Sequence, residues 1–338
     1  MRASQAVLAD TGVRLWDLVF PRSQALLART RVPYVSLDGL IAFSKRDRDG
    51  RVDAYLAAYL PDEVILIYFL AGDVVNATIL TPLGRSPVAI AQALSHIEGE
   101  AERAEIAFHQ APREQLAAMY AACSQTPLEP ALDVSSAAAV FMGITERRWS
   151  GSLELMSNGR VNYVQVRDGR FVAGFFSDQR HDEQPAPYLA RLFTSVPPEP
   201  LPKMVAAFYP GLQELPLQAP PAMVAMLRTV VWNLSDLAER ELPGEGGNRA
   251  ERVRLRLMGK HRVLEHFGGP RGGEETDPLA EPATLSAALG DWTKELGGEM
   301  EIVNPGCAAR LVRDATREHR FALNAIGFFE RLPWRIQW

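Results

Sequence analysis

Several short segments of this sequence carry parts of catalytic motifs, but none of those motifs is complete. A phosphate-binding P-loop needs Gly-x-x-x-x-Gly-Lys followed by Ser or Thr, so that backbone N–H groups and the lysine hold the phosphates. Gly259-Lys260-His261 lacks the upstream glycine and the hydroxyl, and the glycines of residues 268–273 have no lysine among them. A hydrolase elbow reads Gly-x-Ser-x-Gly, whereas Gly151-Ser152-Leu153 does not and falls inside a predicted strand. We therefore expect neither a phosphate-binding loop nor a serine nucleophile.

Histidines and carboxylates are also scattered rather than grouped. Zinc sites need several His or Cys ligands at a recurring spacing, but His261 and His266 are five residues apart and fall on different faces of a helix. His181-Asp182-Glu183 has metal-binding side chains, yet its polar surroundings favour a solvated loop. No pair of carboxylates stands in an apolar setting that would raise a pKa for acid–base work. The sequence therefore predicts a protein with no catalytic residue, no metal, no cofactor and no enzymatic activity.

The side chains best suited to contact a partner are arginines and tryptophans. Arg147, Arg148 and Trp149 directly precede a predicted strand, and Trp334 and Trp338 lie in the C-terminal tail. Arg and Trp are over-represented among the residues that dominate protein–protein binding energy. Two other interpretations stay open: Trp149 packs in the core beside solvated arginines, and the terminal tryptophans dock on their own chain.

A second hypothesis assigns the arginines to an anionic ligand. Arg160, Arg167 and Arg170 lie on two successive predicted strands, close in sequence to Arg147 and Arg148. The planar guanidinium group donates two parallel hydrogen bonds and therefore suits phosphate. Under this hypothesis the arginines bind an anionic nucleotide second messenger.

Two pairs of segments show an internal duplication. Residues 67–77 (IYFLAGDVVNA) align with residues 164–174 (VQVRDGRFVAG), which places the turn glycines Gly72 and Gly169 97 residues apart. Further on, residues 105–112 (EIAFHQAP) are echoed by residues 214–220 (ELPLQAP). Because both matches occur in the same order, we expect two copies of one module.

Length and composition limit the function classes. The chain has 338 residues, 47% hydrophobic residues and a net charge of −5 from 36 basic and 41 acidic residues. A length above the usual size of one core predicts two or three domains, and the acidic balance disfavours nucleic acid as a partner.

Two cysteines are too few for a disulfide framework. The sequence shows no signal-peptide core and no apolar run long enough to span a bilayer, so we expect a soluble cytoplasmic protein without membrane insertion.

Hydrophobic periodicity and turn residues predict an α+β fold: two copies of a small antiparallel β-meander with helices, plus an α/β C-terminal region. Asn158-Gly159 and Asp168-Gly169 are strong hairpin signals, because both central positions of a type I′ turn need positive φ. The predicted domains are residues 1–125 (first module with N-terminal helices), 126–242 (second module), 243–282 (a partly mobile linker) and 283–338 (the C-terminal α/β region).

Several less regular segments also receive assignments from their patterns. We expect helices over residues 1–30 and 202–208, and strands over residues 35–43, 215–217 and 300–303. Residues 252–258 alternate like a strand, but the helical pattern that follows leaves the type of this segment open.

The second copy resembles the PATAN-type domain, a bacterial signalling module of small β-meander and helices. The resemblance rests on Gly151-Ser152-Leu153-Glu154-Leu155 and on the Asp168-Gly169 turn followed by Val172-Ala173. It is partial in the first copy, where Ala71 replaces the turn aspartate, and it covers residues 35–240. The resemblance implies protein interaction rather than catalysis.

From this resemblance we expect a non-catalytic signalling adaptor that binds a protein partner of a signalling or motility system. The C-terminal region adds a second contact or forms a homodimer. The alternative is the sensor of an anionic nucleotide second messenger described above.

Overall fold

The computed structural model describes residues 13–45, 52–178, 184–194, 204–212, 214–269, 271, 273 and 276–338. The chain divides into two compact units, residues 1–216 and 217–338. The first unit contains the first predicted module and residues 126–216 of the second. The second unit begins well before the predicted boundary at residue 243, because the helix predicted at the end of the second module packs with the C-terminal helices.

The first module is a six-stranded antiparallel sheet with the order β1-β6-β2-β3-β4-β5. Its strands β2 and β3 are buried along nearly their whole length, as their continuous apolar runs predict. The elements in chain order are β1 (Gln24–Arg31), α1 (Leu37–Ser44), β2 (Ala54–Leu60), β3 (Glu63–Leu70), β4 (Asp73–Thr81), β5 (Gly84–Val88), α2 (Ile90–Gly99), β6 (Glu105–Gln110) and α3 (Arg113–Ser124).

The second module is a four-stranded antiparallel sheet with the order β10-β7-β8-β9. Its elements are α4 (Ala137–Glu146), β7 (Gly151–Ser157), β8 (Arg160–Arg167), β9 (Arg170–Phe175), α5 (Pro185–Thr194) and β10 (Val205–Pro210). The predicted α+β class with two antiparallel meanders is therefore confirmed.

The hairpins at Gly72 and Gly169 share one geometry. The turn residues have φ values of 49° and 81° at Ala71 and Gly72, and of 49° and 76° at Asp168 and Gly169. Each turn is fixed to the helix before its meander by the same kind of hydrogen bond: the Ser44 hydroxyl donates to the Gly72 carbonyl at 2.8 Å, and the Thr145 hydroxyl donates to the Gly169 carbonyl at 2.9 Å. The duplication read from the sequence thus extends to the contact between helix and turn.

The two modules differ at the edges of their sheets. Helices α1 and α4, the three meander strands, helices α2 and α5, and strands β6 and β10 occur in the same order in both modules. Strand β5 covers the edge of β4, and β1 covers the edge of β6. In the described part of the second module, no strand covers the corresponding edges of β9 and β10.

Helix α3 fills the space between the two sheets. It contacts β4 and β5 of the first sheet and β7, β8 and β10 of the second. All nine residues from Gln115 to Cys123 are buried, which leaves the helix without a solvated face.

An ion pair crosses the same interior. The guanidinium group of Arg85 on β5 donates to the carboxylate of Glu154 on β7 at 2.6 Å, and both side chains are at most 2% exposed. The neighbouring Glu154 carboxylate raises the pKa of Arg85, although burial acts in the opposite direction.

The described residues of the C-terminal unit form helices joined by loops and no strand, and this corrects the predicted α/β region. Residues 300–303 end a long helix rather than form a strand, and residues 252–258 lie in helix α7 and the turn that ends it. The predicted linker also contains α7, whose Val253 and Leu257 are buried in the core of the unit. The helices are α6 (Pro221–Glu241), α7 (Gly246–Leu257), α8 (Pro282–Val303), α9 (Cys307–Thr316) and α10 (Arg320–Ala325).

Four other assignments from sequence are wrong. The segment predicted as helix over residues 1–30 contains strand β1, and the segment predicted as strand over residues 35–43 is helix α1, which the Ser36 hydroxyl caps. Strand β10 replaces the predicted helix over residues 202–208, and residues 215–217 form no regular strand. The match between residues 105–112 and 214–220 marks instead the starts of α3 and α6, each with a proline as its N-cap.

Replacing Glu154 with Gln should destabilise the first unit by about 3–5 kcal/mol, because it leaves a buried guanidinium without its counter-charge. Replacing both partners, as Arg85→Met with Glu154→Leu, should recover most of that loss, since neither charge then has to be desolvated. Urea unfolding of the single and double variants measures the coupling. Equal, additive losses would contradict this interpretation of the pair.

Replacing Gly169 with Ala should lower the free energy of unfolding by about 1–3 kcal/mol, because the residue has positive φ and little space. A Cβ atom there would lie 2.8 Å from the Cα atom of Thr145. Gly99→Ala is the matched control, since a Cβ atom at Gly99 meets nothing within 4 Å. Thermal melting compares the variants, and equal melting temperatures would refute the proposed constraint.

Candidate functional site

Three predicted site arginines meet at one end of the second sheet. Arg167 and Arg170 close the β8–β9 hairpin, and Arg148 lies in the connection between α4 and β7. Together with Asp168 and Val172 they line an open hollow of about 690 Å³. The sequence signal for this grouping is the two-residue turn, which places its flanking residues opposite each other.

The hollow has an excess of positive charge. Among the residues that the structure describes, no carboxylate lies within ion-pair distance of Arg148, Arg167 or Arg170. The carboxylate of Asp168 accepts a hydrogen bond from the Ser150 hydroxyl at 3.4 Å, and that hydroxyl also accepts from the Asp168 backbone N–H at 2.8 Å. With three arginines and one aspartate, the site has a formal charge of +2 and can attract an anionic group.

Among the described residues, the equivalent hairpin of the first module carries no arginine. Leu70 and Asp73 occupy the positions that correspond to Arg167 and Arg170. The Asp73 carboxylate forms an ion pair with Lys45 at 2.9 Å. In the two hairpins themselves, the arginine pair therefore occurs in the second copy of the module.

The backbone at Arg148 is held in an unusual conformation. Its φ is 51°, in the left-handed region where glycine is usual after a helix. The backbone N–H of Arg148 donates to the carbonyl of Thr145 and that of Trp149 to the carbonyl of Ile144, the hydrogen-bond pattern of a Schellman motif. An arginine at this position carries a conformational cost that glycine would not.

The other two predicted arginines face different partners. Arg160 forms an ion pair with Asp178 at 2.7 Å. Arg147 donates to the Gly143 carbonyl at 3.1 Å, and its guanidinium carbon lies 5.1 Å from the ring centroid of Trp149. The five arginines of the sequence hypothesis thus do not form one cluster.

Trp149 packs against its own sheet rather than extending into solvent. It is half-buried, and its ring centroid lies 5.0 Å from that of Phe208 on β10. This is the core interpretation that the sequence left open. Trp149 is therefore partly buried against the cluster that packs on the second sheet.

The two terminal tryptophans belong to the C-terminal unit. Trp334 is half-buried against Gly297 of helix α8. Trp338 is 52% exposed, and its ring lies 5.4 Å from that of Phe329. Trp334 thus docks on its own unit, and half of the Trp338 surface remains free.

Both cysteines are buried, and one of the described histidines contacts a carboxylate. Burial raises the pKa of the Cys123 thiol to about 11, and it also raises the pKa of Cys307. His261 contacts the Asp291 carboxylate at 2.8 Å. The described residues contain no group of three or more metal-binding side chains, and the His181-Asp182-Glu183 segment lies outside them.

A second hollow, of about 160 Å³, lies within the C-terminal unit. Arg254 on its wall donates to the Glu251 carboxylate and to the Leu264 carbonyl, and the Trp232 indole N–H donates to the Gly269 carbonyl. Its polar groups are thus already bonded within the protein. None of the described helices has the length and apolarity to cross a membrane.

No protein-family model, no curated protein and no solved structure matches this chain. The function is therefore inferred from the geometry of the site itself.

Replacing Arg148 with Gly should raise the free energy of unfolding by about 1 kcal/mol, because glycine adopts positive φ without steric cost. Arg148→Ala is the matched control: it removes the same charge but keeps a Cβ atom in the left-handed conformation. Thermal melting should therefore rank the glycine variant above the native protein and the alanine variant. A glycine variant that melts below the native protein would show that Arg148 stabilises the fold through its side chain.

Proposed function

We propose that this protein is a non-catalytic adaptor that binds a protein partner through the second module. The observation that carries the proposal is the combination of a bare strand edge with three exposed arginines that have no carboxylate near them among the described residues. Phe171 and Val172 on that edge are 43% and 49% exposed. Apolar side chains rimmed by charge are typical of interaction surfaces.

The resemblance of the second copy to the PATAN-type domain supports a role in signalling. We propose that the partner is a component of a signalling or motility system and that the protein acts in the cytoplasm. The exposed part of Trp338 is the candidate for the second contact of the C-terminal unit, either with the partner or with another copy of the chain.

The alternative function is a sensor of an anionic nucleotide second messenger. The open hollow with Arg148, Arg167 and Arg170 favours it, because arginine binds phosphate in a bidentate manner. We rank it second, since Arg147 and Arg160 contact other groups and none of the described residues that line the hollow has an aromatic ring to stack on a base.

Charge reversal at the hairpin tests the adaptor proposal. Arg167→Glu with Arg170→Glu should abolish capture of the partner from an extract of the native host, because it turns the positive hollow negative. Arg103→Glu is the matched control, since Arg103 is exposed and lies on the connection between α2 and β6. A partner captured equally by the double variant would refute the proposal.

A photo-crosslinking residue at position 172 then locates the contact, with position 83 in the first module as the control site. Leu83 is 79% exposed and lies in the β4–β5 turn. The partner should crosslink at 172 and not at 83. In parallel, a thermal-shift screen with cyclic dinucleotides tests the alternative: a midpoint that rises for the native protein but not for the double variant would favour the sensor.

A further inference from the structure

Comparison of the two copies shows that β9 has no described counterpart of strand β5 on its outer edge. In the first module, β5 pairs along Ala77–Thr81 of β4 and turns that strand into an interior one. In the second module, α5 is the next described element after β9, and no described strand lies on the outer side of β9. The backbone of Val19 pairs with β8 only at Arg160 and Val161, beyond the end of β9.

We propose that the edge of β9 binds an extended acidic segment of the partner protein as an added strand. This inference rests on the proposed adaptor function and specifies the partner's chemistry. A strand edge presents unpaired N–H and C=O groups that direct the pairing of another chain, and adding a strand is a recurrent mode of peptide recognition.

Of the features that discourage such pairing, the described edge has a bulge at Val172, where the pairing with β8 shifts between Gln165 and Val166. Proteins protect free strand edges from pairing with another chain by lysines, by prolines, by bulges that twist the edge away, or by keeping the strand very short. Strand β9 has six residues, about 20 Å of extended chain, and contains no proline or lysine. Its exposed positions include the apolar Phe171 and Val172, which would pack on alternate side chains of an incoming strand.

The charge of the site selects the occupant. Arg148, Arg167 and Arg170 lie at the hairpin end of β9, so a segment lying along the edge can reach them with carboxylates. A second copy of the same edge would bring three more arginines and only one further aspartate to this short strand. An acidic partner segment therefore complements the edge better than self-association does.

Peptide binding tests the mode of recognition on the full-length protein. The probe is a fluorescent eight-residue peptide of alternating Glu and Val, and fluorescence anisotropy measures its binding. A peptide with Lys in place of Glu controls for charge. Two further peptides keep the Glu-Val sequence but carry N-methyl groups on alternate backbone nitrogens, one peptide for each of the two possible registers. N-methylation removes the N–H groups that a strand needs to pair.

We expect the Glu-Val peptide to bind and the Lys-Val peptide not to bind. N-methylation in the pairing register should weaken binding at least tenfold, as should Arg167→Glu with Arg170→Glu, whereas Arg103→Glu should leave it unchanged. Both N-methylation registers are tested, because only one of them removes the N–H groups that face β9.

The outcomes separate this inference from the adaptor proposal. Equal binding of the native and both N-methylated peptides would overturn strand addition and leave recognition by charge alone. Absence of Glu-Val binding up to millimolar concentration would overturn it too. In either case, partner capture that still depends on Arg167 and Arg170 would preserve the adaptor function. Concentration-dependent dimerisation that the peptide cannot displace would identify a second copy as the occupant.

Discussion

The buried pair of Arg85 and Glu154 is the constraint on which the first unit depends. Two charges that are at most 2% exposed and 2.6 Å apart must stay together, because separating them would leave each one unsolvated. The second oxygen of Glu154 and the Tyr209 hydroxyl have no hydrogen-bond partner among the described residues. Such a pair adds little net stability, but it strongly penalises any other arrangement of β5 against β7.

This arrangement fills the interior of the first unit. The interior faces of both sheets are filled by helix α3 and by aromatic side chains such as Tyr55 and Tyr163. The inward faces are therefore committed to packing. The proposed contact lies instead at the Gly169 hairpin, whose turn rests on the end of α4 and whose second strand is an edge among the described residues.

The two copies of the module keep the same turn but differ around it. Both keep the glycine turn and its hydroxyl anchor, Ser44 in one and Thr145 in the other. The first copy adds β1 and β5 and carries Leu70 and Asp73 at its turn. The second copy has arginines at those positions and an edge that no described strand covers. The same backbone turn therefore carries different side chains and different sheet edges in the two copies.

The sequence by itself determined the features that depend on local chemistry. The positive-φ turn at Asp168-Gly169 follows from turn stereochemistry, and the burial of β3 follows from its continuous apolar run. The repeat of the turn in two aligned segments indicated the duplication. The tertiary structure decided β1, α1 and β10, because short segments change type according to what they pack against. Only the tertiary structure placed Arg148 beside Arg167 and Arg170 and away from Arg160. The reason is that the pairing of β8 with β9 and the position of the end of α4 bring these side chains together, whereas their spacing along the chain does not.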